Sequence, residues 1–430
     1  IRMNFKRPRG TADILPDDQP YWDHVYDVAR KVANQFGYGR IDTPTFEDTN
    51  LFERGVGNET DIVQKEMYSF EDHGGDSITL RPEGTASVCR AYIENGLHNL
   101  PQPVRMYYAA AMFRYERPQA GRVRQFHQFG VEAIGDPSPE VDAEIIELGW
   151  KYIADLGIKN VTLRINSLGD SEGRADYISD LEKYFLGVPD QLPKVDRDRL
   201  NRAPLRVLDS KAKETQALAD AAPKSVDYIN GEAKEHWDAL LVLLDNLKNV
   251  YPGFSYKVDH RLVRGLDYYN RTVFEFEPSE VSGSQGTLIA GGRYDPLMGI
   301  LGGQETPAIG FAGGLERLIL ELKKQELPVT SSKGPDIVVV TLGDAGVAGA
   351  ALASGLRAAN VSTVLAPKRS MKAQMRYANQ QNASNIVIIG DREVENGVVS
   401  VKNLAQGGDQ SEVALDAASI AAHVLSAGNQ

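Results

Sequence analysis

The sequence predicts an α+β fold: an antiparallel sheet flanked by helices, a helical insertion within it, and a separate α/β domain at the C-terminal end. Three features of the pattern lead there. Short strand-like runs recur between residues 77 and 277 with helices between them but no regular βαβ rhythm, which marks an antiparallel sheet. Residues from about 170 to 255 are charged, helical in pattern and interrupted by Pro189, Pro193, Pro204 and Pro223. Beyond residue 335 strands and helices alternate, as in a small domain with a parallel core.

In chain order, residues 20–36 read as an amphipathic helix, with Trp22, Val25, Val28, Ala29, Val32 and Phe36 at helical spacing. Gly37 ends it, and Ile41 to Pro44 opens an extended segment. Ser77 to Arg81 alternates as a strand and stops at Pro82. Arg105 to Glu116 and Arg124 to Gly135 read as paired strands around a loop containing Pro118 and Gly121, and Val161 to Ile165 and Thr272 to Glu277 add two more. Lys323 to Gly334 has the composition of a linker, so the expected division is a first domain over 1–322, with the insertion at about 170–255, a linker over 323–334, and a second domain over 335–430. In the latter, Asp336 to Leu342, Val361 to Ala366 and Asn385 to Gly390 are expected strands; Ala345 to Ala359 and Met371 to Gln381 are expected helices.

Bulk properties narrow the function classes. A chain of 430 residues implies two to four domains, and 42% apolar with 25% charged residues is ordinary for a globular protein. No stretch approaches the ~20 apolar residues that span a bilayer, so no membrane partner and a cytoplasmic location are expected. Ile1 and Arg2 precede Met3, which is the expected native start. Cys89 is the single cysteine, which excludes an internal disulfide and any multi-thiolate metal site and fits a reducing compartment. A net charge of −12 argues against binding nucleic acid through a global basic field, though local basic patches remain open.

Four segments carry chemistry. The richest runs from Phe113-Arg114-Tyr115-Glu116 to Arg122 and on through Phe126 to Glu132. Strand alternation puts Arg114 with Glu116 on one face, and Phe126, Gln128, Gly130 and Glu132 on one face of the next strand, with His127, Phe129 and Val131 opposite. That set offers a guanidinium, two carboxylates, an amide and an aromatic ring; a solvated sheet face would look the same. Leu262 to Tyr269 places Arg264 before Gly265 and two tyrosines, suited to an anion and a flat ring, or simply a turn into the next strand. Gly291-Gly292-Arg293-Tyr294-Asp295 reads in isolation as a turn. Gly310 to Leu318 runs glycines into an apolar helix, where backbone donors and Arg317 would suit a phosphate, or where the glycines serve close packing.

Together these segments resemble the signature motifs of class II aminoacyl-tRNA synthetases. Phe36-Gly37-Tyr38 through Pro44 is similar to motif 1, Phe113 to Glu116 with Arg122 and Phe126 to motif 2, and Gly310 to Arg317 to motif 3. Arg81-Pro82-Glu83-Gly84-Thr85, Phe126 to Glu132, Val263 to Tyr269 and Gly291 to Asp295 resemble the histidine-specific signatures of the bacterial-type histidyl-tRNA synthetase family. The likeness spans nearly the whole chain, with small departures: Ala290 where a glycine is frequent, and Gly313 where a larger residue is.

The resemblance implies the class II sheet, a C-terminal anticodon-binding domain, and activation of L-histidine with ATP and Mg2+ before transfer to tRNA(His) by a homodimer. It implies that Glu83, Thr85 and Gln128 accept from the ammonium of histidine, that Glu132 and Tyr269 partner its imidazole with Tyr268 beside them, and that Gly84 belongs to the same histidine site. Arg114 and Arg264 would act at the reacting carboxylate and phosphate, and Glu116, Arg122, Phe126 and Arg317 would hold ATP. Arg117, Gln119 and Arg122 would meet the acceptor end of the tRNA, and Lys368, Arg369, Lys372 and Arg376 its anticodon arm. No protein-bound metal site is implied. The alternative is the catalytically silent, histidine-sensing regulatory paralogue of histidine biosynthesis, which would lack the Arg264 segment and the C-terminal domain; both are present here. A synthetase for threonine, proline or glycine is disfavoured by Glu132 with Tyr268 and Tyr269, and an inactive RNA-binding relative by intact Arg114, Arg264 and Arg317.

Overall fold

The computed structural model describes residues 5–427 apart from 59, 201, 267, 280–285, 330–333 and 405–409, and of residues 171, 172 and 427 only the backbone. The expected start at Met3, Asp267 in the Arg264 segment and the middle of the expected linker therefore lie outside the described residues. The chain divides into two compact units, 1–329 and 330–430.

The first unit contains β1 (Gly39–Arg40), β2 (Phe46–Asp48), β3 (Tyr68–Glu71), β4 (Ser77–Leu80), β5 (Val104–Phe113), β6 (Gln125–Ile134), β7 (Val161–Ser167), β8 (Tyr256–Val258), β9 (Asn270–Pro278), β10 (Ile289–Arg293) and β11 (Ala308–Gly314). Eight of them form one sheet in the order β1-β5-β6-β11-β10-β9-β7-β8, and β2-β4-β3 form a small second sheet. The large sheet is antiparallel except where its edge strands β1 and β8 pair.

Period-two alternation decides which residues reach which side. From β6, Phe129 and Val131 join Phe274 and Phe276 of β9 in a core closed by the helices Gln19–Gln35, Pro139–Asp155, Gly231–Val250 and Leu315–Lys324. The first of these buries Trp22, Val25, Val28, Ala29 and Val32, as its spacing predicts, together with Ala33, whereas Phe36 is half-buried just past its end; Gly37 then takes a left-handed φ of 76°. The other face carries Tyr108, Tyr268, Tyr269 and Tyr294, packed with the helix Thr85–Glu94 and with apolar residues from the helical stretch 171–220.

A buried ionic cluster ties this architecture together. Arg293 on β10 is 0% exposed and donates to Asp142, to the carbonyls of Asp136 and Ser138, and to Asp295. Asp142 also meets His236 of the Gly231–Val250 helix at 2.9 Å. Burial pushes the Asp142 carboxyl up, but Arg293 and His236 hold it below its ordinary value.

Three details depart from the sequence expectations. Arg114 and Glu116 lie beyond the end of β5, because the chain peels away after Phe113: Arg114 N–H still donates to Arg124 O, but Tyr115 N–H turns to Glu66 O at 2.7 Å. Gly291 to Arg293 form a central strand, not a turn, since both neighbouring strands approach them closely. Lys323 and Lys324 belong to the preceding helix rather than to a linker.

The second unit has a sheet of β12 (Ile337–Thr341), β13 (Thr363–Leu365), β14 (Asn385–Ile389), β15 (Val398–Asn403) and β16 (Gln410–Ala414), in the order β13-β12-β14-β15-β16. The expected parallel core is β13-β12-β14, apolar on both faces as two-sided burial requires. The antiparallel strands β15 and β16 and the helices Asp391–Asn396 and Ala417–Ala427 add to that expectation. The half-exposed alternation of β16 carries little apolar signal.

Arg293→Met leaves the fully buried Asp142 without its guanidinium partner. A loss of about 3–5 kcal/mol in equilibrium unfolding of the first unit is expected; a loss below about 1 kcal/mol would show that the pair does not hold this core.

Candidate active site

Between the tyrosine-bearing face of the large sheet, the Thr85–Glu94 helix and the inserted helices lies a cavity of about 1220 Å³. Its two ends differ in chemistry, and each follows from local structure.

The acidic end begins where β4 stops at Pro82. Glu83 turns back on the start of the next helix and accepts from Thr85 N–H and Ala86 N–H at 2.7 and 2.8 Å, satisfying two of the four donors that a helix start leaves open. Burial raises the Glu83 carboxyl, and those backbone donors oppose it. Thr85 Oγ1 donates to Glu132 Oε1 at 2.8 Å, and Tyr294 donates to Glu132 Oε2 at 2.5 Å. Thr85 therefore links the two residue sets that the sequence assigns to opposite ends of one amino acid. Gln128 Oε1 and the Tyr268 hydroxyl are buried without hydrogen-bond partners, which native structures rarely tolerate in the absence of a ligand.

Glu132 is the deepest group, 0% exposed. It lies behind the wall rather than on it, where the lining residues Thr85, Tyr108, Tyr268 and Tyr269 stand. Burial pushes its carboxyl up to about 8, with Tyr294 and Thr85 drawing it down and Glu83 adding to the rise.

The basic end gathers guanidinium groups from four places in the chain. Arg114 is fixed by Nε donating to Pro82 O at 2.8 Å, with its guanidinium 5.4 Å from the centre of the Phe126 ring. Arg122 lies 3.2 Å from Glu116 Oε2, at the base of a tight turn in which Gln119 and Arg122 exchange backbone hydrogen bonds. Arg317 donates to Thr287 O at 2.8 Å and to Gly121 O at 3.4 Å. Arg264 pairs with Glu275, and its Nε is buried without a partner.

Several residues of the site escape the sequence reading. Glu275 holds Arg264, and Arg164, its cross-strand neighbour on β7, lies 3.7 Å away while pairing with Asp259 and Glu277. Two acids at alternate positions in the run Val273-Phe274-Glu275-Phe276-Glu277, otherwise apolar, are the available signal for Glu275 and Glu277. Glu316 accepts from His127 N–H and meets its Nδ1 at 2.9 Å, pinning β6 so that Phe126 and Gln128 face the cavity. The insertion contributes Arg199, Arg206 and Lys211 to the lining, and Arg206 donates to Gly265 O beside Arg264.

All the residues expected to hold histidine and ATP line this cavity except Gly84 and Glu132, which back its wall. Of the glycines of the third motif, Gly310 serves packing, since a Cβ there would lie 1.8 Å from Glu132 Oε2, whereas Gly314 has room around it. Arg117 and Gln119 are exposed on the turn. In the second unit Lys368, Arg369, Lys372 and Arg376 are all exposed around the start of the Met371–Gln380 helix. The buried Gln374 amide shapes that corner, donating to Thr341 O and Arg369 O, both at 2.8 Å. Among the described residues no group of three or more His, Cys, Asp or Glu could hold a metal, and no helix is long and apolar enough to cross a membrane.

A family model described as histidyl-tRNA synthetase matches residues 10–170 and 190–318, and one described as anticodon binding domain matches 336–421. The histidine–tRNA ligase of Dehalococcoides mccartyi is 46% identical over 414 residues, covering 96% of this chain and 97% of that protein. That of Caldicellulosiruptor saccharolyticus is 45% identical over 410 residues, 95% of this chain and 96% of the relative. Among solved structures, apo histidyl-tRNA synthetase of S. aureus matches with a TM-score of 0.79 at 37% identity, covering 96% of this chain and 98% of that one.

Glu132→Gln cannot titrate. A carboxyl raised from 4.5 to about 8 on folding is protonated in both states at low pH. Its burial costs stability increasingly as pH rises between those values. The stability of Glu132→Gln relative to the parent should therefore grow from about pH 5 to about pH 8 and level off above. Chemical unfolding across that range checks it, and a gap that does not change with pH would contradict the assignment.

Proposed function

The chain belongs to the histidyl-tRNA synthetase family, and on that premise we propose how its cavity carries out the reaction. The activity is that of a histidine–tRNA ligase: histidine and ATP give histidyl-adenylate and pyrophosphate, and the histidyl group passes to tRNA(His). The observation that carries the residue-level reading is the polarity of one continuous cavity, with carboxyl and unpaired acceptor groups at one end and a cluster of guanidinium groups, Arg114, Arg122, Arg264 and Arg317 among them, toward the other.

Histidine enters ammonium and imidazole first. Glu83, Thr85 and the unpaired Gln128 Oε1 supply acceptors for the ammonium, beside Gly84. The imidazole needs a partner for each nitrogen. Tyr268 and Tyr269 stand on the wall, and Glu132 behind them carries the proton that its burial retains. An apolar side chain in the same place would leave those groups unpaired, which costs a discrimination of about 10⁴ or more.

The histidine carboxylate then points toward the basic end. One of its oxygens attacks the α-phosphorus of ATP, and the bond from that phosphorus to the bridging oxygen of pyrophosphate breaks. Arg114 and Arg264 hold the two anions together and hold the charge that builds on the phosphate, already aimed before reaction by Pro82 O and Glu275. Phe126 and Arg317 flank the adenine, and Arg122 and Arg317 take the terminal phosphates. Mg2+ fits here as a phosphate-bound ion, since such ions need only one or two protein carboxylates. Glu116, whose Oε2 is buried without a hydrogen-bond partner, would be the acid to hold it, with Glu275 as a second beside Arg264, and it would neutralise phosphate charge. The turn with Arg117, Gln119 and Arg122 receives the acceptor end of the tRNA, and Lys368, Arg369, Lys372 and Arg376 its anticodon arm. The protein acts as a cytoplasmic homodimer through its motif 1 segment.

Arg264→Ala should nearly abolish histidine-dependent ATP–pyrophosphate exchange while circular dichroism stays native; near-normal exchange would remove Arg264 from the chemistry. Deletion of 334–430 should leave exchange intact and cripple aminoacylation, and unchanged aminoacylation by the truncated protein would refute the anticodon assignment.

A further inference from the structure

We propose that Tyr108, to which the roles above assign nothing, is a specificity residue for histidine, its hydroxyl hydrogen-bonding the bound amino acid where the ammonium and imidazole subsites meet. The inference rests on the histidine reading of the cavity. Tyr108 stands on β5 directly opposite Gly130 of β6, and Gly130 lies between Gln128 and Glu132 on the same face. On its other side is Gly84, between Glu83 and Thr85. The phenol occupies the room that these two missing side chains leave: a Cβ on Gly130 would lie 2.2 Å from Tyr108 Cζ, and one on Gly84 2.3 Å. The ring is thus wedged between the two acceptor sets and cannot swing away from either.

Its hydroxyl is buried, lies close to Thr85 and Glu132 without a well-formed hydrogen bond to either, and belongs to a residue that lines the cavity. Burial, and then the charges of Glu132 and Glu83, keep it protonated. A neutral O–H with one donor and two lone pairs, buried without a well-formed hydrogen bond, is costly in the free protein. A ligand with nitrogen groups at both of its ends relieves that cost. Leucine or phenylalanine, carrying only the ammonium, would leave the imidazole side of the hydroxyl unmatched.

Tyr108→Phe keeps the ring over both glycines and removes only this oxygen. In ATP–pyrophosphate exchange by the full chain, the KM for histidine should rise about ten- to hundredfold while the KM for ATP stays within about twofold. The thermal midpoint of the free protein should stay the same or rise, because an unpaired hydroxyl contributes nothing to the free state. A hydroxyl that only supports the fold would give the opposite result, a lower midpoint with an unshifted histidine KM, and that would overturn the inference, as would a parallel rise in both KM values. Normal exchange by the parent with an unshifted KM in Tyr108→Phe overturns this inference alone. Absence of histidine-dependent exchange in the parent overturns the reading of the cavity and this inference with it.

Discussion

The site depends on a bare floor. Where β6, β11 and β10 run side by side, Gly310 and Gly292 lie in register on the cavity side of the sheet and must carry no side chain for the strands and their neighbours to fit. A Cβ on Gly310 would lie 2.4 Å from Val131 O, and one on Gly292 would lie 2.5 Å from Thr272 O and 2.9 Å from Tyr269 Cδ1. That absence lets Glu132 sink below the surface of the sheet and lets the Tyr108 ring lie across Gly130. Side chains reach into the cavity from the strands themselves, Tyr108, Phe126, Gln128 and Glu275 among them, and from its rim: the end of β4, the turn after β5, the approach to β9 and the inserted helices.

Depth and charge are linked by the same arrangement. Burying a carboxyl under tyrosines raises its proton affinity, so the acidic end is less anionic at neutral pH than its composition suggests. The basic end is organised differently. Each guanidinium is anchored to a carbonyl or a carboxylate, and Arg264 is held by Glu275, which in turn faces Arg164. These pairs aim the cations in advance, so little reorganisation remains when a phosphate arrives. The Arg293–Asp142–His236 cluster beneath them fixes β10, and with it the Tyr294 that reaches Glu132.

Much of this was legible in the sequence, and the misses have physical reasons. Periodicity located the Trp22 helix and the pairing of β5 with β6, because each has one buried face. It failed at Arg114 and Glu116, where alternation was extended past the point at which Tyr115 turns to Glu66. Gly291 to Asp295 looked like a turn because local preference alone reads paired glycines that way; contacts from strands distant in sequence override it. The residues expected to hold histidine and ATP are marked by their motifs and most of them line one cavity, whereas Arg164, Glu316 and Tyr108 join them through contacts between distant segments that no local pattern displays. Of the second unit, the strands buried on both faces were visible and the half-exposed β15 and β16 were not.

The order of strands also governs how such a chain comes into being. β11 pairs with β6 on one side and with β10 on the other, so the two halves of the large sheet meet only through it. It is the last strand of its unit to leave the ribosome. Until Ala308–Gly314 emerges, a nascent chain holds β5–β6 and β7–β10 as pieces with no register between them, and Gly310 has not yet covered Glu132. Formation of this protein is therefore a late, long-range closure rather than a progressive one, slow as non-local pairings are and exposed to aggregation until the keystone is set.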